Sequence, residues 1–192
     1  GMLVGMRPAN GAGDGDSVPE VWGGRGPPVR SYREQDALTT IAMIGAGSVG
    51  FTRRLLMDIL AVPELRDTQF RFMDIAEEPL EMSASLCRKM IADNGLPATI
   101  VDTMDRREAI VGADYVVCTA RVGGLEAFAH DVEIPLKYGV DQCVGDTLCA
   151  GGIMYGQRNI PAILDFCTDI REVARPDALF MNYANPNAMN TW

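Results

Sequence analysis

Short apolar runs alternate with longer stretches of helical periodicity from residue 40 onward. Apolar runs bounded by turn residues predict strands, whereas apolar residues recurring every three or four positions predict helices. The predicted strands are 40–44, 69–74, 98–102, 114–119 and 178–183, and the predicted helices are 48–61, 77–94, 106–111 and 152–174. This alternation predicts an α/β fold of the Rossmann type, a doubly wound parallel sheet with helices on both faces.

The alternation fails between residues 120 and 151, where glycine, proline and charged residues accumulate. A structureless loop of more than about 15 residues in a compact domain is uncommon and is often functional. We therefore predict a functional loop in this region, with residues around 125–138 as its candidate helix.

Two of the predicted helices have apolar faces that we expect to pack on the sheet. On the first helix this face consists of Phe51, Leu55 and Ile59. On the helix at 152–174 it consists of Ile153, Ile160, Ile163, Leu164, Cys167 and Ile170. Pro161 lies within this second helix and predicts a kink, because proline lacks the backbone donor that the helix needs there.

The first strand leads into a glycine-rich turn, Gly45-Ala46-Gly47-Ser48-Val49-Gly50, from which the first helix starts. In such a turn the first glycine permits the tight bend, the second lets the backbone approach phosphates, and the third lets the helix pack on the strand. The helix N-terminus adds free N–H groups and a positive dipole. A dinucleotide site is predicted, and a glycine turn without a ligand is the alternative. Its predicted cofactor-binding residues are Gly45, Gly47, Ser48, Val49 and Gly50.

Asp74 and Thr119 complete the predicted cofactor site. In an open parallel sheet a ligand binds beyond the carboxyl ends of the strands, where the strand order reverses, and Thr119 ends the fourth predicted strand there. Asp74 ends the second strand, where a carboxylate accepts hydrogen bonds from ribose hydroxyls. Because no arginine follows Asp74 to bind a 2′-phosphate, we predict NAD rather than NADP. The alternative role for Asp74 is that of an N-cap for the helix beginning at Glu77.

Residues 1–38 differ in composition from the rest of the chain. They contain many glycines and prolines and show neither strand nor helix periodicity. Such a segment buries too little apolar surface to offset the entropy lost on ordering. We predict that residues 1–38 are disordered, that residues 39–192 form the NAD-binding domain, and that any second domain lies beyond Trp192.

Charge and cysteine content narrow the possible partners. The net charge of −9 and the scattered Lys and Arg residues argue against nucleic acid or an anionic membrane as a partner. No apolar run reaches the roughly 18 residues of a membrane-spanning helix. The five cysteines form no C-x-x-C pair, which fits free thiols in a reducing cytoplasm. We therefore predict a cytoplasmic protein with a small-molecule substrate.

Five blocks of the sequence follow the predicted cofactor turn in a distinctive order. They are Val122-Gly123-Gly124, the run 131–139 that includes Ile-Pro-Leu-Lys-Tyr-Gly, Gly145-Asp146-Thr147, Gly151-Gly152-Ile153 and the run 182–186 that includes Asn185-Pro186. With these blocks the chain resembles glycoside hydrolase family 4, the NAD- and metal-dependent glycosidases. The resemblance runs from about Ile41 to Trp192 and implies a Rossmann domain like that of lactate and malate dehydrogenases.

The resemblance implies a reaction that uses NAD within each turnover. In this family NAD takes a hydride from sugar C3, a divalent metal assists elimination of the glycosidic oxygen, and water adds before the hydride returns. Asp131 matches the acid to the leaving group, a role that needs a pKa raised by desolvation. Asn185 matches a residue that binds the sugar. The metal ligands and the base are expected beyond Trp192, with Mn²⁺ as the expected ion, and His130 is expected to be an ordinary loop residue.

Arg121 and Asp146 are the other candidate substrate residues. Arg121 flanks the predicted cleft and would either meet an anionic group on a sugar or remain solvated. The block containing Asp146, with residues 188–192, is more similar to the branch acting on unphosphorylated α-galactosides or α-glucosides than to the 6-phosphoglycoside branch. Where the family usually has Gly-Pro-Gly-Gly, this chain has Cys149-Ala150-Gly151-Gly152, a change near the cofactor. Assembly into a homodimer or homotetramer is expected from the family.

Two alternatives to a glycosidase remain. A 2-hydroxy-acid dehydrogenase of the lactate/malate type would share the glycine turn, the Asp74 position and the Asn-Pro corner. Such enzymes carry an arginine-bearing lid after the fourth strand, whereas here Thr119-Ala120-Arg121 leads into Val-Gly-Gly. The other alternative is an NAD-binding fragment that catalyses nothing unaided.

Overall fold

The structure, a computed structural model, describes residues 2–4 and 38–192. The strands are β1 (Met2–Val4), β2 (Thr40–Ile44), β3 (Gln69–Met73), β4 (Thr99–Thr103), β5 (Tyr115–Cys118) and β6 (Leu179–Asn182). The helices are α1 (Val49–Ala61), α2 (Glu77–Asp93), α3 (Arg106–Ile110), α4 (Gly124–Lys137), α5 (Ala150–Val173) and α6 (Asn187–Thr191), and a short 3₁₀ helix spans Pro63–Leu65. Within the described ranges, none of the helices has the length and apolar character required to cross a membrane.

The described strands form one sheet in the order β1-β6-β5-β2-β3-β4. Strands β2 to β6 all pair in parallel, which confirms the predicted doubly wound parallel sheet. The strand order reverses between β2 and β5, so the predicted cleft lies at their carboxyl ends. Strand β1 adds an antiparallel edge beside β6 that the sequence pattern does not predict. The rest of the predicted disorder in residues 1–38 falls outside the described residues.

Apolar side chains from alternate positions of the central strands enter two separate cores. Ile41 and Met43 of β2 join the core beneath α1 and α2. Ala42 and Ile44 of the same strand join the core that α3 and α5 cover. Because successive side chains of a strand point to opposite faces, helices on both faces of the sheet explain why β2 is apolar throughout.

The buried face of α1 is shifted by one position along the helix from the predicted face. Its fully buried residues are Thr52, Leu56 and Leu60. Phe51 is exposed, while Leu55 and Ile59 pack only partly against the core. The sequence pattern is misleading because the first position of the buried stripe is a threonine, Thr52, whose hydroxyl donates to the carbonyl of Ala46 at 2.9 Å. A polar residue at a buried position breaks the apolar period that the prediction relied on.

Helix α5 also departs from its predicted face. Ile163, Cys167 and Ile170 are buried as predicted, but Ile153 and Leu164 are exposed. The N-terminal part of the helix instead buries Tyr155, Asn159 and three glycines, Gly151, Gly152 and Gly156. The helix continues through Pro161 as a single element, so the expected kink does not divide it.

A network of charged side chains fastens α3 to α5. Arg106 Nε donates to Asp169 at 2.6 Å and Arg106 Nη2 donates to Asp165 at 2.8 Å. Arg107 Nη1 donates to Asp169 at 2.5 Å and to Glu172 at 2.7 Å. Burial alone raises the pKa of Asp169, but hydrogen bonds from the two arginines outweigh burial and hold that pKa below its usual value. Asp169 therefore stabilises the fold as an anion.

Replacing Asp169 by Asn is expected to lower the free energy of unfolding at pH 7 by about 2 kcal/mol, because the buried carboxylate that pairs with the half-buried Arg106 and the exposed Arg107 is lost. A carboxyl whose pKa is lower in the folded state adds stability above its unfolded pKa of about 3.9 and loses it as the pH falls further. Urea unfolding at pH 7 and at pH 3 measures the effect. A difference between the two proteins that stayed unchanged at pH 3 would contradict this role.

Candidate active site

The glycine turn packs between the carboxyl ends of β2, β3 and β5. The N–H groups of Gly45 and Ala46 both donate to the carbonyl of Met73, at 2.9 and 3.0 Å. Gly45 has a φ of +88°, and a Cβ placed on it would lie 2.6 Å from the nitrogen of Ala120. Both the backbone conformation and the space therefore require glycine at this position.

Asp74 lies directly against this turn. Its Oδ2 accepts a hydrogen bond from the Gly47 N–H at 2.8 Å, and its Oδ1 accepts one from the Ala76 N–H at 3.1 Å. A Cβ on Gly47 would be 2.7 Å from Asp74 Oδ2, so the second glycine makes room for the carboxylate. The hydroxyl of Thr119 donates to the carbonyl of Gly45 at 2.9 Å, which ties the end of β5 to the turn.

The N-terminus of α1 has the properties that a diphosphate needs. The side chain of Ser48 makes no capping hydrogen bond, and no acidic residue lies in the first turn of the helix. Ser48 and Gly50 are exposed, and a Cβ on Gly50 would meet nothing within 4 Å. Open space at a helix N-terminus, with a carboxylate anchored beside it, fits a dinucleotide with its ribose at Asp74 and its phosphates at the turn.

Three of the predicted substrate residues meet beside this turn. Asn185 Nδ2 donates to Asp146 Oδ2 at 3.0 Å, and Arg121 Nη2 lies 3.5 Å from the same oxygen. Thr147 Oγ1 lies 3.5 Å from Asn185 Oδ1. The structure thus joins the end of β5, the α4–α5 loop and the cis-linked Asn185-Pro186 corner in one polar group, which we call the Arg121–Asp146–Asn185 cluster.

Two aromatic rings hold the guanidinium of this cluster. The guanidinium carbon of Arg121 lies 4.8 Å from the ring centre of Phe128 and 5.0 Å from that of Tyr155. Tyr155 is buried, and this burial raises the pKa of its hydroxyl. Arg158 lies over the same tyrosine ring at 5.4 Å. Tyr155 therefore contacts two cations, and such contacts stabilise the positions of both.

Asp131, the predicted acid, is buried between α4 and α5. It is 3% exposed, and both of its oxygens accept hydrogen bonds from Arg158, at 2.8 and 2.7 Å. This bond to Asp131 raises the pKa of Arg158. To donate a proton, Asp131 must carry one on an oxygen that accepts from Arg158 in this structure. Its role as an acid therefore stays a prediction, and it requires this pair to rearrange.

Gln142 connects the same region through its side-chain amide. Its Nε2 donates to the carbonyl of Asp131 at 3.0 Å, and its Oε1 accepts from the N–H of Gly151 at 3.1 Å. A Cβ on Gly151 would lie 2.5 Å from that same carbonyl. The glycine and the glutamine together fix the start of α5 against the middle of α4.

Sequence reasoning missed Tyr155, Arg158 and Gln142. Tyr155 and Arg158 lie three residues apart on α5, a spacing that puts both on one face, but nothing in the sequence shows that Arg121 contacts Tyr155 or that Asp131 of α4 pairs with Arg158. His130, set aside as a loop residue, is exposed on α4. Gln142 lies in the loop that the sequence predicts only as functional.

The described residues offer no metal site. Within residues 2–4 and 38–192 no three His, Cys, Asp or Glu side chains are grouped so as to hold an ion. Cys118, at the end of β5, is fully buried, and burial raises its pKa to about 11. It is therefore a protonated thiol at neutral pH and a poor ligand. The residues described here do not fit a metal centre by themselves.

Both the sequence and the fold of this chain are similar to those of known proteins. An α-galactosidase of Rhizobium meliloti (strain 1021) is 63% identical over 152 residues, which are 79% of this chain and 31% of that protein. The 6-phospho-β-glucosidase of Thermotoga maritima, solved with manganese, NAD⁺ and glucose-6-phosphate, superposes with a TM-score of 0.69 at 28% identity, over 77% of this chain and 35% of that one.

A lactate dehydrogenase of Trichomonas vaginalis superposes with a TM-score of 0.52 at 14% identity, over 78% of this chain and 38% of that one, a likeness that shows the fold alone. The chain spans about a third of the length of the family relatives it matches. The sequence profile described as "Family 4 glycosyl hydrolase" matches residues 40–192. The chain belongs to glycosyl hydrolase family 4.

Proposed function

We propose that this chain is the NAD-binding, N-terminal part of a glycosidase that hydrolyses α-glycosides, most simply α-galactosides or α-glucosides. The observation that carries the proposal is the placement of the Arg121–Asp146–Asn185 cluster at the carboxyl ends of the strands, beside the glycine turn and Asp74. Membership of family 4 supports oxidation of the sugar at C3, elimination and addition of water. The dehydrogenase alternative has less support, because the lactate dehydrogenase that superposes on this chain is only 14% identical to it.

The glycine turn and the residues around it would bind the cofactor. Asp74 would accept hydrogen bonds from the adenosine ribose, and the first turn of α1, beginning at Val49, would direct its N–H groups to the diphosphate. Thr119 acts indirectly, by holding the carbonyl of Gly45. When bound, NAD supplies a hydride acceptor and donor. Without an arginine beside Asp74, a 2′-phosphate would meet a carboxylate, which supports NAD over NADP.

The cluster would position the sugar for this chemistry. The carboxylate of Asp146 accepts hydrogen bonds, and the amide of Asn185 both accepts and donates them, which suits vicinal hydroxyl groups. Arg121 holds the carboxylate in place from the other side. We propose that Asp131 protonates the departing glycosidic oxygen once Arg158 releases one of its oxygens. Removal of water by burial would favour that proton transfer.

Metal dependence, cellular location and assembly are proposed from separate observations. A manganese ion in the structure of a family relative supports a divalent metal, held by residues outside the described ones. Free buried thiols at Cys87, Cys118 and Cys167 support a reducing cytoplasm. Exposed apolar side chains on and after α4, such as Leu136 and Tyr138, support a homodimer or homotetramer.

Titration of this chain with NAD tests the cofactor half of the proposal. Calorimetry should give a dissociation constant of about 1 mM or below and weaker binding of NADP. Replacing Asp74 by Ala should reduce NAD affinity about tenfold, because the ribose loses its acceptor. Absence of any heat at millimolar NAD would refute the nucleotide site.

An activity assay tests the hydrolytic half. The complete gene product should cleave a nitrophenyl α-galactoside in the presence of NAD and Mn²⁺, and omission of either should abolish turnover. The 192-residue chain alone is expected to hydrolyse nothing, because its described residues hold no group of three or more metal-ligating side chains. Turnover by the complete protein that ignores NAD would refute the oxidative route.

A further inference from the structure

Two exposed aromatic side chains lie in contact at the carboxyl edge of the sheet. Phe51, in the first turn of α1, is 40% exposed, although the sequence pattern predicts it to face the core. Tyr183, the residue after β6, is 44% exposed. Their ring centres are 5.9 Å apart and their planes meet at 66°, an edge-to-face contact. The two rings form one apolar surface, which we call the Phe51–Tyr183 pair.

Backbone hydrogen bonds fix both residues close to the glycine turn. The N–H of Phe51 donates to the carbonyl of Ser48 at 3.1 Å. The N–H of Tyr183 donates to the carbonyl of Cys118, at the end of β5, at 2.8 Å. The pair therefore connects the first turn of α1 with the ends of β5 and β6.

The pair lies where the second half of a dinucleotide would lie. A doubly wound sheet binds a dinucleotide across the point where the strand order reverses, with one mononucleotide half on each side. Asp74, the expected ribose acceptor, follows β3, which places the adenosine half on the β3 side of β2. The nicotinamide half then belongs beyond the glycine turn, at the ends of β5 and β6, and Tyr183 follows β6 there.

The Phe51–Tyr183 pair and the Arg121–Asp146–Asn185 cluster flank this edge from opposite faces of the sheet. Helix α1, which carries Phe51, covers one core, and α5, which follows the loop with Asp146, covers the other. A flat ring bound between them would have aromatic side chains against one face and the polar cluster toward the other. The aromatic side would exclude water, and the polar side would leave the ring accessible to a sugar.

We propose that Phe51 and Tyr183 form the wall against which the nicotinamide ring of NAD packs. The assignment rests on the proposed function, because it requires the cofactor to lie at the glycine turn. The oxidised ring carries a positive charge, and aromatic side chains attract a cation in addition to burying apolar surface. The wall thereby orients the ring, so that its other face is directed to the cluster that would bind the sugar.

Calorimetry of the complete gene product with NAD⁺ and with ADP-ribose tests this wall, because ADP-ribose has the adenosine and the diphosphate but no nicotinamide. Phe51→Ala and Tyr183→Ala should each weaken NAD⁺ binding about fivefold and change ADP-ribose binding less than about twofold. Tyr183→Phe keeps the ring and should bind NAD⁺ as the wild type does. Val62→Ala shortens an exposed side chain at the other end of α1 and should change neither affinity.

Asp74→Ala is the positive control, because loss of the ribose acceptor should weaken the binding of both ligands. Equal weakening of both ligands by Phe51→Ala and Tyr183→Ala would overturn the assignment, since the pair would then only support the turn. Unchanged NAD⁺ binding in both variants would also overturn it and would mean that the nicotinamide lies elsewhere. In either case binding of ADP-ribose by the wild type keeps the cofactor site intact. If the wild type binds neither ligand, the proposed function fails as well.

Discussion

Replacing Asp131 by Ala should lower the free energy of unfolding by about 3 kcal/mol. The carboxylate is almost completely buried, and its loss leaves Nη2 of Arg158 without its partner and Nη1 with only the carbonyl of Met154, at 3.3 Å. The guanidinium Nε has no hydrogen-bond partner even with Asp131 present, so it cannot compensate. Chemical denaturation of the variant and the wild type measures the change.

The same variant tests the acid role of Asp131. In the complete gene product, Asp131→Ala should slow hydrolysis of glycosides with poor leaving groups far more than that of nitrophenyl glycosides, which need little protonation. Asp131→Asn serves as the matched control, since it keeps the shape and accepts a hydrogen bond while removing the proton donor. Equal losses for both classes of substrate would remove Asp131 from the acid role.

A third variant separates stability from chemistry. Asp131→Ala/Arg158→Met removes both partners of the pair and should recover part of the lost stability, because no unpaired charge stays buried. The double variant should not recover activity on glycosides with poor leaving groups. Recovery of both would mean that the pair is structural and that another group protonates the glycosidic oxygen.

Replacing Gly45 by Ala is expected to have the second large effect, a loss of at least about 2 kcal/mol in unfolding free energy together with loss of NAD binding. The residue has a positive φ, and the added Cβ would lie 2.6 Å from the nitrogen and 2.7 Å from the Cα of Ala120. These are backbone atoms, so β2 or β5 has to shift. Such a shift displaces the turn from Met73 and alters the phosphate site.

Gly50→Ala provides the folding control for this experiment. A Cβ at Gly50 meets nothing within 4 Å, and alanine is the better helix former. Its unfolding free energy should therefore match or slightly exceed that of the wild type, as measured by thermal and urea denaturation. If Gly45→Ala were as stable as Gly50→Ala, the close packing of the turn against β5 would be contradicted.

Those parts of the fold that depend on local patterns could be predicted from the sequence. The turn from Gly45 to Gly50 is recognisable because its three glycines follow an apolar strand at a fixed spacing, which is a pattern of neighbouring residues. The central strands are recognisable because burial on both faces makes them continuously apolar. Asp74 was found because its place at the end of β3 follows from the strand itself.

The parts that depend on contacts between distant elements could not be predicted to the same extent. Helix α4 has little apolar period, because its buried positions are Asp131 and Pro135 while Leu125 and Leu136 are exposed. Its polar position is compatible with burial only because Arg158 of α5 pairs with it. A sequence pattern shows the aspartate but not the arginine 27 residues later that makes its burial possible.

The residues at the start of α5 differ in how well they would tolerate substitution during evolution. Cys149 and Ala150 are exposed, so a sequence can exchange the first two residues of the family's usual Gly-Pro-Gly-Gly run with little effect on packing. Gly151 and Gly152 leave no room for a side chain, since a Cβ would meet the Asp131 carbonyl at 2.5 Å or the carbonyl carbon of Thr147 at 2.7 Å. A combinatorial library aimed at the start of α5 should therefore randomise positions 149 and 150 and keep both glycines.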